Sequence, residues 1–127
     1  MMNDWTEFRG MRQSVSLRNP KVTLGKKLDM YFSARTLELL GNPKAVRFFF
    51  DVSRSLIGIR KETPDADQAF PIYMNKGGRS STGKLYAGIF CNEFGIRPEH
   101  TITFNDIHVD ADGIMILDLK TATRVRR

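Results

Sequence analysis

Cysteine occurs once in 127 residues, at Cys91, so neither an internal disulfide nor a thiolate metal cluster can form. Histidine occurs twice, and His100 and His108 have no third ligand at zinc spacing. No apolar run approaches the length of a membrane span, and no secretory apolar segment follows Met1. The sequence therefore predicts a cytoplasmic protein with no membrane partner. No serine sits in a G-x-S-x-G elbow, and neither histidine has an acid placed to orient it. Cys91 falls beside the apolar stripe of a predicted helix, where a thiol is buried and inert. These absences predict no enzyme, no metal and no cofactor.

Acid is also scarce. Fourteen Asp and Glu stand against 20 Lys and Arg, giving a formal net charge of +6. Such a balance favours a polyanionic partner, either nucleic acid or an acidic protein face. Basic residues collect in the N-terminal segment (Arg9, Arg12, Arg18, Lys21, Lys26, Lys27), in a glycine loop (Lys76, Arg79, Lys84) and in the tail "KTATRVRR". The acids gather instead in "ETPDAD" and "NDIHVDADG".

The glycine loop, "NKGGRSSTGKLY", sets four residues between Gly78 and Gly83-Lys84, the spacing of a phosphate-binding loop. The residue after Lys84 is Leu85, which has no oxygen for Mg²⁺. A phosphate-loop enzyme also wants parallel strands alternating with long helices, and this chain offers mainly hairpins. "HVDADG" fails similarly as a calcium loop. With Gly113 at position 6, His108 and Leu119 fall where strong oxygen ligands are needed. It reads as a hairpin turn.

The chain predicts a single domain over 1–127, with a polar segment 1–12 and a basic tail 120–127. "SVSL" is a candidate edge strand. "KVTLGKKLDMYFS" reads as two short strands around a Gly-Lys-Lys turn, with Gly25 supplying positive φ. "SARTLELLG" is a short helix capped by Ser33 and closed by Gly41. "AVRFFFD" and "SLIGIRKE" form a hairpin, and "KETPDADQ" is the pivot loop. "AFPIYM" is a strand whose Pro71 places it at an edge. A second helix is predicted over "KLYAGIFCNEFG", where Tyr86, Ile89, Phe90 and Phe94 form a helical stripe. "TITFNDIHVDADGIMILDLK" turns at Asp112-Gly113. Three consecutive aromatics, Phe48 to Phe50, read as core.

Two segments, 20–62 and 70–120, follow the same order of strand, basic turn, short helix ending in glycine, strand, turn and strand. Gly41 aligns with Gly95, Phe50 with Phe104, and Asp51 with Asn105. The expected fold is α+β: a small β-barrel-like arrangement of antiparallel hairpins with two short helices and pseudo-two-fold halves.

The stretch "VTLGKKLDMYFSARTLELLGNPKAVRFFFDVSRSLIGIRKE" resembles the AbrB/SpoVT-like transcription regulators. In that family two small units interlock into one swapped-hairpin barrel, and basic turns meet duplex DNA. The resemblance implies a non-enzymatic DNA-binding regulator, either a monomeric pseudo-dimer or a homodimer. It assigns DNA contacts to Lys26 and Lys27, with Lys21 just before them. Through the counterpart turn it adds Lys76 and Arg79, with Lys84 from the same basic loop. The chain departs from the family in having Asp29 and Ser33, and no proline, on the approach to the first helix. The alternative from another class is a protein-binding inhibitor or accessory factor, of phage or mobile-element type, with a basic surface toward a protein or nucleoprotein partner. A structural assembly subunit is a third.

Overall fold

The computed structural model describes residues 19–75 and 82–125. The strand predicted at "SVSL", the polar segment 1–12, the cations Lys76 and Arg79, and the last two arginines lie outside the described residues.

Strands β1 (Val22–Leu24) and β2 (Asp29–Phe32) form the first hairpin, with Val22 opposite Phe32 and Leu24 opposite Met30. Its turn is closed by Gly25 N donating to Asp29 O and Leu28 N donating to Gly25 O, each at 2.9 Å. The positive φ predicted at Gly25 falls instead on Leu28, at 71°. Leu28 is buried. Burying a leucine is worth about 1.5–3 kcal/mol, which offsets the roughly 1–2 kcal/mol cost of a left-handed backbone.

Helix α1 (Ala34–Leu39) starts at Ser33, whose Oγ accepts from Thr36 N. It ends beside Gly41, at φ 86°. Fully buried Thr36 ties this helix to the start of β1. Its hydroxyl accepts from Lys21 N at 2.8 Å and donates to Lys21 O at 2.8 Å. β3 (Ala45–Asp51) and β4 (Leu56–Glu62) pair along their whole length. The Asp51 carboxylate closes their turn by accepting from Arg54 N and Ser53 Oγ.

The run 70–75 is two strands. β5 (Phe70–Pro71) pairs with β3, whereas β6 (Tyr73–Asn75) pairs with β7 (Thr82–Tyr86). The change occurs at Ile72, whose N–H donates to Lys44 O at 2.9 Å. The second helix, α2, spans Gly88–Phe94, shorter than predicted. Lys84 to Tyr86 belong to β7, and Ile89 is exposed rather than part of a buried stripe. Its buried side chains are Phe90 and Cys91. β8 (Ile102–Phe104) and β9 (His108–Val109) again divide one run between two sheets. β10 (Met115–Asp118) and β11 (Thr123–Arg124) complete the chain. Gly113, at φ 80°, turns β9 into β10.

One sheet has the order β11-β8-β1-β2-β7-β6 and the other β5-β3-β4-β10-β9, with every pairing antiparallel. The class is α+β, mostly strand. The two sheets are not closed into a barrel, which corrects the barrel-like expectation. Strand pairing changes sheet after Ile72 and again between β8 and β9, so these runs turn corners between sheets instead of sealing a seam. Four pairings, β1 with β8, β2 with β7, β3 with β5 and β4 with β10, join a strand of residues 20–62 to one of residues 70–120.

A single core lies against both sheets, built from Val22, Leu24, Met30, Phe32 and Leu85 of one and Val46, Ile57, Ile59, Met115 and Leu117 of the other. Phe48 and Phe50 face α2, where Phe48 stacks on Phe90 with ring centroids 4.6 Å apart. Phe49 points the opposite way, beneath the Arg60 guanidinium. Strand alternation overrules the reading of all three as core.

Candidate nucleic-acid interface

The six-stranded sheet buries one face and leaves the other open. Val22, Leu24, Met30, Phe32, Gly83 and Leu85 point inward, so their strand neighbours Thr23, Tyr31, Lys84 and Tyr86 point outward. The register aligns these outward residues across the sheet. Thr123 stands opposite Thr103, Thr103 opposite Thr23, Thr23 opposite Tyr31, Tyr31 opposite Lys84, and Lys84 opposite Tyr73. One cross-strand row therefore ends in tyrosine, lysine, tyrosine. Lys84 Nζ lies 5.7 Å from the Tyr31 ring centroid, an attraction worth about 0.5–1 kcal/mol at an exposed site.

Beside the middle of this row the β1–β2 turn projects Lys26 and Lys27, both exposed. An open groove of about 580 Å³ separates the turn from the sheet, lined by Lys26, Lys27, Thr23, Asp29, Tyr31 and Thr101. Asp29 is the acid in that lining. At the β7–β6 edge a second groove of about 320 Å³ lies between Tyr73 and Tyr86, with Pro71, Phe70 and Ile89 along it. Gly88 makes this end possible. A Cβ there would lie 2.1 Å from the Tyr86 ring, so only glycine lets the tyrosine settle over the start of α2.

The cations divide into two kinds. Arg35, Arg47, Arg54 and Lys120 each bridge a carboxylate, at 3.4, 2.8, 2.8 and 3.0 Å. Those bridges hold the Glu62, Asp51 and Asp118 carboxyls below the usual range, through hydrogen bonds from Arg47, Arg54 and Lys120 respectively. Lys21, Lys26, Lys27 and Lys84, like Lys44, Arg60, Lys61, Arg97 and Arg124, make no ion pair among the described residues. Cations left without carboxylates are free to meet an anion.

Of the six cations expected to touch DNA, the structure brings Lys26, Lys27 and Lys84 to one sheet. Lys21 lies at the far end of β1 from the turn, pinned through its backbone to α1. Lys76 and Arg79 lie outside the described residues. Lys84 is a strand residue rather than the loop cation expected, because "TGKLY" alternates inward at Gly83 and Leu85. That placement also settles the phosphate-loop spacing. Gly83 and Lys84 sit within β7, where Gly83 is required by packing: a Cβ would come within 2.7 Å of Ile72 Cγ2.

The tail cations are dispersed, with Lys120 bridged to Asp118 and Arg124 exposed on β11. Burial raises the Cys91 thiol to about 11, so it is protonated and unreactive at neutral pH. Among the described residues no group of three or more His, Cys, Asp or Glu could hold a metal ion. No described helix is long and apolar enough to cross a membrane. Sequence reasoning missed Tyr31, Tyr73 and Tyr86, although the alternation in "DMYF" and "KLY" carries two of them. No protein-family model matches the chain, and neither a curated protein nor a solved structure does.

Proposed function

We propose that this chain is a non-enzymatic DNA-binding protein, a transcription regulator of the AbrB-like type that occupies duplex DNA. The observation that carries this reading is the set of lysines without an ion pair among the described residues, Lys26, Lys27 and Lys84, on one open sheet. Short, hydrogen-bonded turns hold such charges in place, and lysines contact phosphates without needing base sequence. The halves 20–62 and 70–120 are read as two copies of one small unit that meet across β2–β7 and β4–β10. Two further features favour that reading. Ser33 and Ala87 precede the helices at the same separation that divides Gly41 from Gly95, and both glycines have positive φ.

The test is fluorescence anisotropy of a labelled generic duplex at two salt concentrations. Three phosphate contacts give a log-log salt slope of about −2.7, or roughly a 40-fold loss of affinity from 50 to 200 mM. The Lys26→Ala/Lys27→Ala variant should reduce that slope to about −0.9. Absent binding at the lower salt refutes the proposal.

A second reading, a protein-binding accessory factor, is favoured by one groove of mixed polarity, where Arg47, Gln68 and Glu93 stand beside exposed apolar side chains. Ile89 at 73%, Phe94 at 39% and Phe49 at 36% exposure share its lining. In that case the protein forms a stoichiometric complex with a protein and ignores free DNA.

A further inference from the structure

Duplex binding gives the three exposed tyrosines nothing to do, because paired bases are stacked inside the helix and present phosphates outward. Tyr31, Tyr73 and Tyr86 are 43%, 67% and 55% exposed, on the same side of the same sheet. Exposed aromatic side chains on a sheet lose water contacts favourably only when something flat or apolar covers them. Each has a cationic or apolar setting that defines what that cover is.

Tyr31 and Tyr73 flank Lys84 in the cross-strand row, so they stand two strand spacings apart, roughly 9.5 Å. Tyr86 lies diagonally from Tyr73, and the groove between them runs over Pro71 and Ile89. The floor of this groove is apolar and its sides are aromatic. The wider groove on the other side of Tyr31 is net basic, with Lys26 and Lys27 against the single carboxylate of Asp29, and Thr23 and Thr101 as hydroxyl donors. Crossing the sheet from the β1–β2 turn, the surface thus reads two lysines with the Asp29 carboxylate, then Tyr31, Lys84 and Tyr73, with Tyr86 opposite Asp29 and diagonal to Tyr73.

An unpaired polynucleotide presents the complementary order: phosphate, base, phosphate, base. We propose that this face also holds a single-stranded polynucleotide, with its bases on Tyr31 and between Tyr73 and Tyr86, and its phosphates on Lys84 and on Lys26 and Lys27. The proposal rests on the reading of this sheet as a nucleic-acid interface. Base-on-tyrosine stacking is tolerant of sequence, because every base has a flat face, and the lysines supply a backbone track. The ligand class is a single strand of DNA or RNA. An apolar peptide fits the Tyr73–Tyr86 groove alone, but it leaves the unbridged cations beside it without a counter-charge.

Anisotropy tests this with labelled oligo-dT and oligo-U of 15 nucleotides, and a duplex of mixed sequence, against the full chain at about 50 mM salt. The single strands should bind. Tyr31→Ala and Tyr73→Ala should each weaken them by about fivefold or more, whereas Tyr31→Phe and Tyr73→Phe retain binding. Circular dichroism of each variant establishes that the fold survives. Equal binding of both single strands assigns recognition to stacking and phosphate; a preference for oligo-U assigns part of it to the 2′-hydroxyl. Duplex binding should respond to the lysine variants and not to the tyrosine ones.

Duplex binding with no single-strand binding overturns the stacking inference and leaves the DNA reading standing. Single-strand binding that ignores both alanine variants overturns it equally. Tyrosine-dependent single-strand binding without duplex binding upholds it and refutes the duplex regulator. No binding of any oligonucleotide removes both.

Discussion

Gly83→Ala asks whether the glycine-lysine pair in β7 serves packing or phosphate chemistry. The added Cβ would lie 2.7 Å from Ile72 Cγ2 and 3.3 Å from Leu37 Cδ1, both atoms of buried side chains. Ordinary carbon contacts begin near 3.5 Å, so Ile72 must shift most of an ångström. That shift costs about 1–3 kcal/mol of overpacking. Removing a glycine from the unfolded chain returns about 0.4–1 kcal/mol, leaving a net loss of about 1–2 kcal/mol. Urea denaturation followed by circular dichroism should show the midpoint fall with m unchanged. Ile72→Leu removes the offending Cγ2 at constant volume, so the double variant should recover at least about 0.5 kcal/mol relative to the sum of the singles. Additive losses would refute the contact as the cause. Unchanged stability in Gly83→Ala would refute the packing account altogether.

Thr36→Val keeps the shape of a buried side chain while removing both hydrogen bonds to the Lys21 backbone; a loss of about 1–3 kcal/mol in urea denaturation is expected. Asp29→Asn removes the carboxylate from the basic groove, so oligonucleotide affinity should rise and the dependence on salt should steepen. The Glu62 carboxyl, held low by the hydrogen bond from Arg47, contributes stability in full above its ordinary value of 4.5 and loses it as pH falls through the lower folded value. The stability difference between the native chain and Glu62→Gln should therefore shrink between pH 6 and pH 3, as read by urea midpoints.

Local structure was legible wherever a short-range mechanism fixes it. Ser33 capping α1, Gly41 closing it, Asp112-Gly113 turning β9 into β10, and the β3–β4 hairpin all follow from neighbouring residues. The start of α2 was not legible, because Tyr86, Ile89 and Phe90 satisfy a helical period while "TGKLY" also satisfies a strand period. Nothing within that window decides between them, and β2 and β6 pairing on either side does. The open sheets were also hidden. A run such as "AFPIYM" looks like one strand, and its division at Ile72 depends on Lys44 and Lys84, which are distant in sequence. For the interface, charge pointed to Lys26, Lys27 and Lys84. Charge gave no such signal for the tyrosines, and the alternation in "DMYF" and "KLY" marks a face for two of them without saying which face is open.

The loop at 63–69 joins segments that share four strand pairings, so each half presents its partner with the edges it needs. Were the halves separate molecules, β2 and β4 would have to find β7 and β10 by collision. A short tether replaces that search with a local concentration in the millimolar range. Folding of the continuous chain should thus be independent of dilution. A version cut within the loop should assemble only as its concentration rises, and its melting temperature should follow the same dependence.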